Sequence, residues 1–111
     1  NLSFFNTDIC FVGHTHVPYI FMHDKNLKTS ALILPEERKK FKLEKNYKYI
    51  ISVGSVGQPR DGDPRACFVI YDSDNSELEF FRLSYDFPKT QTKMYSAHLP
   101  AFLIERLTWG R

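Results

Sequence analysis

Cysteine is scarce in this 111-residue chain: Cys10 and Cys67 are the only two. A disulfide framework or a cysteine-rich metal cluster needs more thiols, or thiols closely spaced, and neither condition is met. Each cysteine sits in an apolar run, Ile9-Cys10-Phe11-Val12 and Ala66-Cys67-Phe68-Val69. Both are therefore expected to be free thiols packed as small hydrophobes, as suits a reducing cytoplasm. Charge imbalance is also slight. The formal net charge is +2, which does not by itself single out nucleic acid as a partner. No apolar run approaches the roughly 20 residues of a membrane span. The longest, such as 66–71, are strand-sized, so no membrane association is expected. The opening at Asn1 lacks a charged start, a long apolar stretch and a small-residue cleavage site, so no signal peptide is expected. Residues 1–8 are polar and run directly into an apolar strand. The expectation is a piece of a longer protein, with a processed mature start as the alternative. Internal repeats and low-complexity segments are lacking too.

What is present suits a packed core. Apolar residues make up 42% and aromatics 15%, far from the composition of a disordered chain. The length is enough for one domain or for half of a larger one. Apolar run length predicts buried strands at 9–12, 49–53 and 66–71. Runs at 19–22 and 27–34 flank a turn at His23-Asp24-Lys25-Asn26. The alternation at Phe41-Lys42-Leu43-Glu44 reads as an edge strand. Its surrounding lysines and arginines are interleaved with glutamates and lack an aromatic stacking platform, so a solvated edge is expected rather than a nucleic-acid surface. Residues 65–71 and 77–83 are predicted to form a hairpin across a turn at 72–76. That turn begins like a calcium loop, but Glu77 and Leu83 stand where glycine and glutamate are required. After Asp86, a helix cap, the period changes. Helices are predicted near 87–98 and 100–108, with Pro88 in the first turn of one and Gly110 ending the other. Thr90, Met94 and Leu99 lie near one face of the first, and Leu103 and Leu107 are four apart on the second.

The chemistry-bearing signal is Gly13-His14-Thr15-His16, placed directly after an apolar strand. Two imidazoles one residue apart can face one cavity if the backbone stays extended. Neutral imidazole ligates zinc, manganese, iron and nickel. Gly13 would allow a sharp turn, and Pro18 would stiffen its exit. Spacing alone fits metal ligation and fits two surface histidines equally well. A second loop runs from Gly54 to Arg65, rich in glycine and proline. Its glycines would let backbone N–H groups approach an anion, and Arg60 or Arg65 could contact a phosphate. The alternative is a tight turn at Asp61-Gly62-Asp63-Pro64 with both arginines paired to nearby aspartates.

Together, Asp8-Ile-Cys-Phe-Val-Gly13-His14-Thr15-His16-Val17-Pro18 and Gly54-Ser55-Val56-Gly57-Gln58-Pro59-Arg60-Asp61 resemble the end of a calcineurin-like metallophosphoesterase of the small bacterial and archaeal type. The tail, with Tyr85-Asp86, Met94, Leu99-Pro100 and Arg106-Leu107, is similar as well. The resemblance implies an α/β fold: the C-terminal part of a β-sandwich flanked by helices, its strands followed by two C-terminal helices. It implies that residues 1–111 are the C-terminal portion of a single metallophosphoesterase domain. It also implies metal-dependent hydrolysis of phosphomonoesters or phosphodiesters at a dinuclear centre of manganese, iron, zinc or nickel. His14 would ligate one metal and His16 the other, and Arg60 would bind substrate. The second ring nitrogens would be oriented by Thr15 or by a carbonyl of the 54–60 loop. The family's other ligands come from Asp-x-His, Gly-Asp-x-x-Asp and Gly-Asn-His-Asp/Glu motifs and a further histidine, none of which is in this chain. The full-length protein is thus expected to be an enzyme and this chain alone to be inactive. The competing reading is a noncatalytic scaffold or binding subunit of the same fold.

Overall fold

A computed structural model describes residues 2–111 as two facing β-sheets and a pair of helices. A 3-10 turn at Leu2–Phe4 precedes β1 (Ile9–Val12), β2 (Pro18–Asp24), β3 (Ser30–Ile33), β4 (Lys40–Lys42) and β5 (Tyr47–Val53). Then come β6 (Ala66–Asp72), β7 (Glu77–Leu83), α1 (Phe87–Ser96) and α2 (Ala101–Trp109). The first sheet has the order β1-β5-β2-β3 and the second β4-β7-β6. Strand β1 runs parallel to β5, while β2 is antiparallel to both β5 and β3. This mixed-sheet α/β arrangement is the fold that the sequence resemblance implies.

Alternation explains the core. On β2 and β5, Ile20, Tyr49 and Ile51 point inward and meet Cys67, Leu78 and Phe80 of the second sheet, with Leu43 closing one side. The Tyr49 hydroxyl is not stranded in this apolar layer, because it accepts the Glu44 N–H at 3.0 Å. Strand β5 lies between β1 and β2, so both its edges are paired and its β-branched run is covered.

Of the three strands expected to be buried, β5 alternates buried and half-buried residues, and the other two expose part of their length. No residue of β1 is fully buried, and Phe11 is 42% exposed. Strand β1 is the sheet edge, and only β5 lies beside it. Strand β6 buries Ala66 and Cys67, but Ile70 and Tyr71 are exposed, because β6 is the edge of the other sheet. The Phe11 and Tyr71 rings meet at 5.6 Å between centroids, joining these two edges. Run length reports apolarity and not which flank is covered. Two boundaries also differ from expectation. His23 and Asp24 belong to β2 rather than to the turn, and the buried Asp24 carboxylate accepts the N–H groups of Asn26 and Leu27. The returning strand is shorter than 27–34, leaving Leu27 and Leu34 exposed.

The helices begin and end where local chemistry dictates. Asp86 accepts the Lys89 N–H at 3.1 Å, capping α1. Gly110 ends α2 in the left-handed conformation. On α2 the buried residues are Ile104 and Leu107; the first of these escaped the sequence reading, which paired Leu103 with Leu107. The helices pack on each other and on the 57–63 loop, not across a sheet face. The molecule therefore measures 53 × 26 × 20 Å. Its radius of gyration is 16.5 Å, against about 13 Å for a compact domain of this length. No helix among the described residues is long and apolar enough to cross a membrane.

Candidate metal-ligand site

The two histidines follow β1, and their backbone is not extended. His14 and His16 have φ of 72° and 61°, left-handed values that cost a non-glycine residue about 1–2 kcal/mol each. The sharp turn is made by the histidines themselves. Gly13 is not left-handed, and a Cβ there would meet nothing. The strain is held by hydrogen bonds. The Thr15 N–H donates to the Gly13 carbonyl at 3.0 Å. Ser52 of β5, fully buried, donates its hydroxyl to the Val17 carbonyl at 2.6 Å. With its one proton so used, Ser52 accepts from the Thr15 hydroxyl at 3.2 Å. The expected alternative role of Thr15, orienting an imidazole, is not what its hydroxyl does.

The 54–60 loop, which continues β5, is clamped to the same turn at His16. The Arg60 N–H donates to the His16 carbonyl at 3.1 Å. The His16 Nδ1 lies 2.7 Å from the carbonyl oxygen of Gln58. A carbonyl only accepts, so Nδ1 carries the proton and Nε2 keeps its lone pair in the neutral ring. His14, His16 and residues Gly54, Ser55 and Val56 line one cavity of about 430 Å³, with Cys67 and Phe68 on its floor. Burial pushes the Cys67 thiol up, which keeps it protonated and inert.

Arg60 is not in this cavity. It lines a second one of about 410 Å³ between the loop and the two helices, and its Nη2 donates to Gln58 Oε1 at 3.1 Å. Arg65 is paired, to Asp63 at 2.7 Å and Glu37 at 2.9 Å. Its bond holds the Asp63 carboxyl below the usual range. Asp61 pairs with Arg82, which also approaches Asp63 at 3.9 Å. The reading of local arginine–aspartate pairs therefore holds for Arg65 and not for Arg60. Both loop carboxylates are committed to arginines.

The donor set fits a divalent ion in part. Two imidazoles share a cavity, and one has its tautomer set by a carbonyl. Among the described residues, no three His, Cys, Asp or Glu side chains converge on a common point, and a catalytic zinc site normally has three protein ligands. Sequence reasoning missed Ser52 and singled out Gln58 only as one of several loop carbonyls. The available signal for Ser52 was a lone hydroxyl within Ile50-Ile51-Ser52-Val53.

No family model matches the chain. It is 40% identical over 104 residues to an uncharacterized protein of Methanocaldococcus jannaschii, covering 94% of this chain and 40% of that protein. It is also similar to the crystal structure of a metallophosphoesterase from Sphaerobacter thermophilus. That match has a TM-score of 0.90 and 41% identity, covering 100% of this chain and 45% of the other. The chain thus spans less than half the length of both relatives.

Proposed function

Since this chain belongs to the metallophosphoesterase family, we propose that it serves the metal-dependent hydrolysis of phosphomonoesters or phosphodiesters, with His14 and His16 as two ligands of a dinuclear divalent centre. The observation that carries this reading is the single cavity shared by both imidazoles and the Gly54–Val56 backbone, with His16 Nδ1 held by Gln58. When bound, such ions lower the pKa of a coordinated water and neutralise charge on a phosphoryl oxygen. The chain's own residues do the positioning. Gln58 fixes the tautomer of His16. Thr15 and Ser52 hold the turn that presents both rings. Neither histidine acts as a general base in this reading. The remaining ligands come from the rest of the whole protein, because two imidazoles cannot complete a two-metal cage.

The test uses the whole protein with manganese, an aryl phosphate ester, and calorimetric metal titration. Metal-dependent turnover lost in both His14→Ala and His16→Ala, with weakened metal binding, supports the proposal. Turnover or metal binding that survives both substitutions overturns it. Metal binding without turnover on monoesters and diesters would favour the noncatalytic scaffold.

A further inference from the structure

The carbonyl that sets the His16 tautomer belongs to a loop residue, and a loop carbonyl turns easily unless its neighbouring peptides are held. The Gly57–Gln58 peptide is held on both sides. The Tyr85 hydroxyl donates to the Gly57 carbonyl at 2.8 Å, and the Gln58 N–H donates to Ser55 Oγ at 2.9 Å. These are the two polar ends of one planar unit, so the unit cannot rotate without breaking a bond. Next comes Pro59, which is buried and whose ring disfavours helical backbone at the residue before it. With both flanking peptides restricted, Gln58 presents its own carbonyl in one direction, 2.7 Å from His16 Nδ1.

Ser55 belongs to the same loop, but Tyr85 does not. It lies 28 residues beyond Gly57, in the connection between β7 and α1. Its place there is fixed locally. The Phe87 N–H donates to the Tyr85 carbonyl at 2.9 Å. The Phe87 ring packs edge-on against the Tyr85 ring at 5.9 Å between centroids. Asp86, between them, caps α1. The Tyr85 side chain is half-buried, and burial pushes its phenol up, so the hydroxyl keeps the proton that it donates. Tyr85 does not line the histidine cavity. What it transmits to that cavity is the orientation of a peptide.

We propose that Tyr85 is a positioning residue, which acts through the Gly57–Gln58 peptide to set the tautomer and the aim of the His16 imidazole. Its consequence for hydrolysis rests on the phosphoesterase reading above; its effect on the metal-free ring does not. The test uses the whole protein and Tyr85→Phe, which keeps the ring against Phe87 and removes only the hydroxyl. In metal-free protein at about pH 8.5, above the usual imidazole range, nitrogen-15 NMR should show the His16 proton on Nδ1. In Tyr85→Phe, and in Ser55→Ala, the ring signals should move toward a mixture of Nδ1–H and Nε2–H forms. Cobalt titrated by visible absorption should bind about tenfold more weakly in both variants, as for loss of an outer-shell partner. Parental ring signals in Tyr85→Phe overturn the proposal, and so does a loss of thermal stability with those signals unchanged. A shift in Ser55→Ala alone overturns it too, because the Tyr85 hydroxyl then adds nothing to the hold on the peptide. Failure of the phosphoesterase reading registers separately: the tautomer changes in Tyr85→Phe while the parent shows no metal-dependent turnover.

Discussion

A Cβ placed on Gly54 would lie 2.8 Å from both Cβ and Sγ of Cys67. The backbone at Gly54 is also left-handed, with φ of 78°. The glycine lets the loop after β5 cross against β6 at the floor of the histidine cavity, where the Cys67 N–H donates to the Ser55 carbonyl at 2.8 Å. Gly54→Ala meets both penalties, left-handed strain and overpacking. It should lower the unfolding free energy by about 2–4 kcal/mol in urea denaturation. A variant as stable as the parent would refute this account of the crossing.

Ser52 and Thr15 give the next expectation. Removing the Ser52 hydroxyl takes from the half-buried Val17 carbonyl its shorter hydrogen bond and leaves only the Thr15 hydroxyl, 3.3 Å away. Ser52→Ala should destabilise by about 1–3 kcal/mol. Because that hydroxyl holds the turn between the two imidazoles, metal affinity should fall as well, by about tenfold, the lower end for outer-shell partners. Cobalt titration followed by visible absorption reads this directly. Unchanged affinity would restrict Ser52 to a purely structural role.

Acid should weaken the fold through carboxylates whose folded-state pKa is depressed. The Arg65 bond holds Asp63 low, the Leu27 and Asn26 N–H groups hold Asp24 low, and the Asn75 side chain and N–H hold Asp72 low. A depressed group contributes stability above its unfolded-state value and loses it as pH falls through the folded-state value. The loss should therefore begin below about pH 4. Urea denaturation between pH 6 and pH 2 would show the slope, and Asp63→Asn should flatten it. A slope identical in that variant would remove Asp63 from the list.

Gly110 should prove as sensitive as Gly54, for a different reason. It has φ of 62°, and a Cβ there would lie 2.7–2.8 Å from backbone atoms of Asp63. The Gly62 N–H donates to the Gly110 carbonyl at 3.0 Å at the same contact. Gly110→Ala should loosen α2 from the loop. Hydrogen exchange should quicken in α1 and α2 while β5 and β7 keep their protection. Uniformly faster exchange would mean that helices and sandwich unfold as one unit.

This chain made alone with manganese should not hydrolyse an aryl phosphate ester at an enzyme-like rate. Two imidazoles are too few ligands, and Asp61 and Asp63 are held by Arg82 and Arg65. Robust turnover abolished by both His14→Ala and His16→Ala would show that a complete site exists here after all.

Much of the secondary structure was legible because its causes are local. Asp86 precedes α1 and Gly110 follows α2 whatever the rest of the chain does. Asp72 builds its own turn by accepting the N–H groups of Asp74 and Asn75. The His14–His16 pair was legible as a motif, but its backbone conformation was not, because left-handed φ at a non-glycine residue has no composition signal. Arg60 and Arg65 looked alike in sequence and differ in space. Arg65 opens toward β6 beside Asp63 and Glu37, whereas Arg60 turns toward the helices.

The sequence by itself determined where strands and helices form, and which residue types could hold a metal or a phosphate. Those outcomes follow from short-range propensity, capping and pattern. Only the tertiary structure decided which strands lie at sheet edges and which groups meet. The bond from Gln58 to His16 spans 42 residues, and the link from Ser52 to Thr15 spans 37. Each exists because β1 and β5 are parallel neighbours, so the turn after β1 and the loop after β5 leave the same end of one sheet. Strand order is chosen by the burial of the whole core, and no stretch of sequence carries that sum.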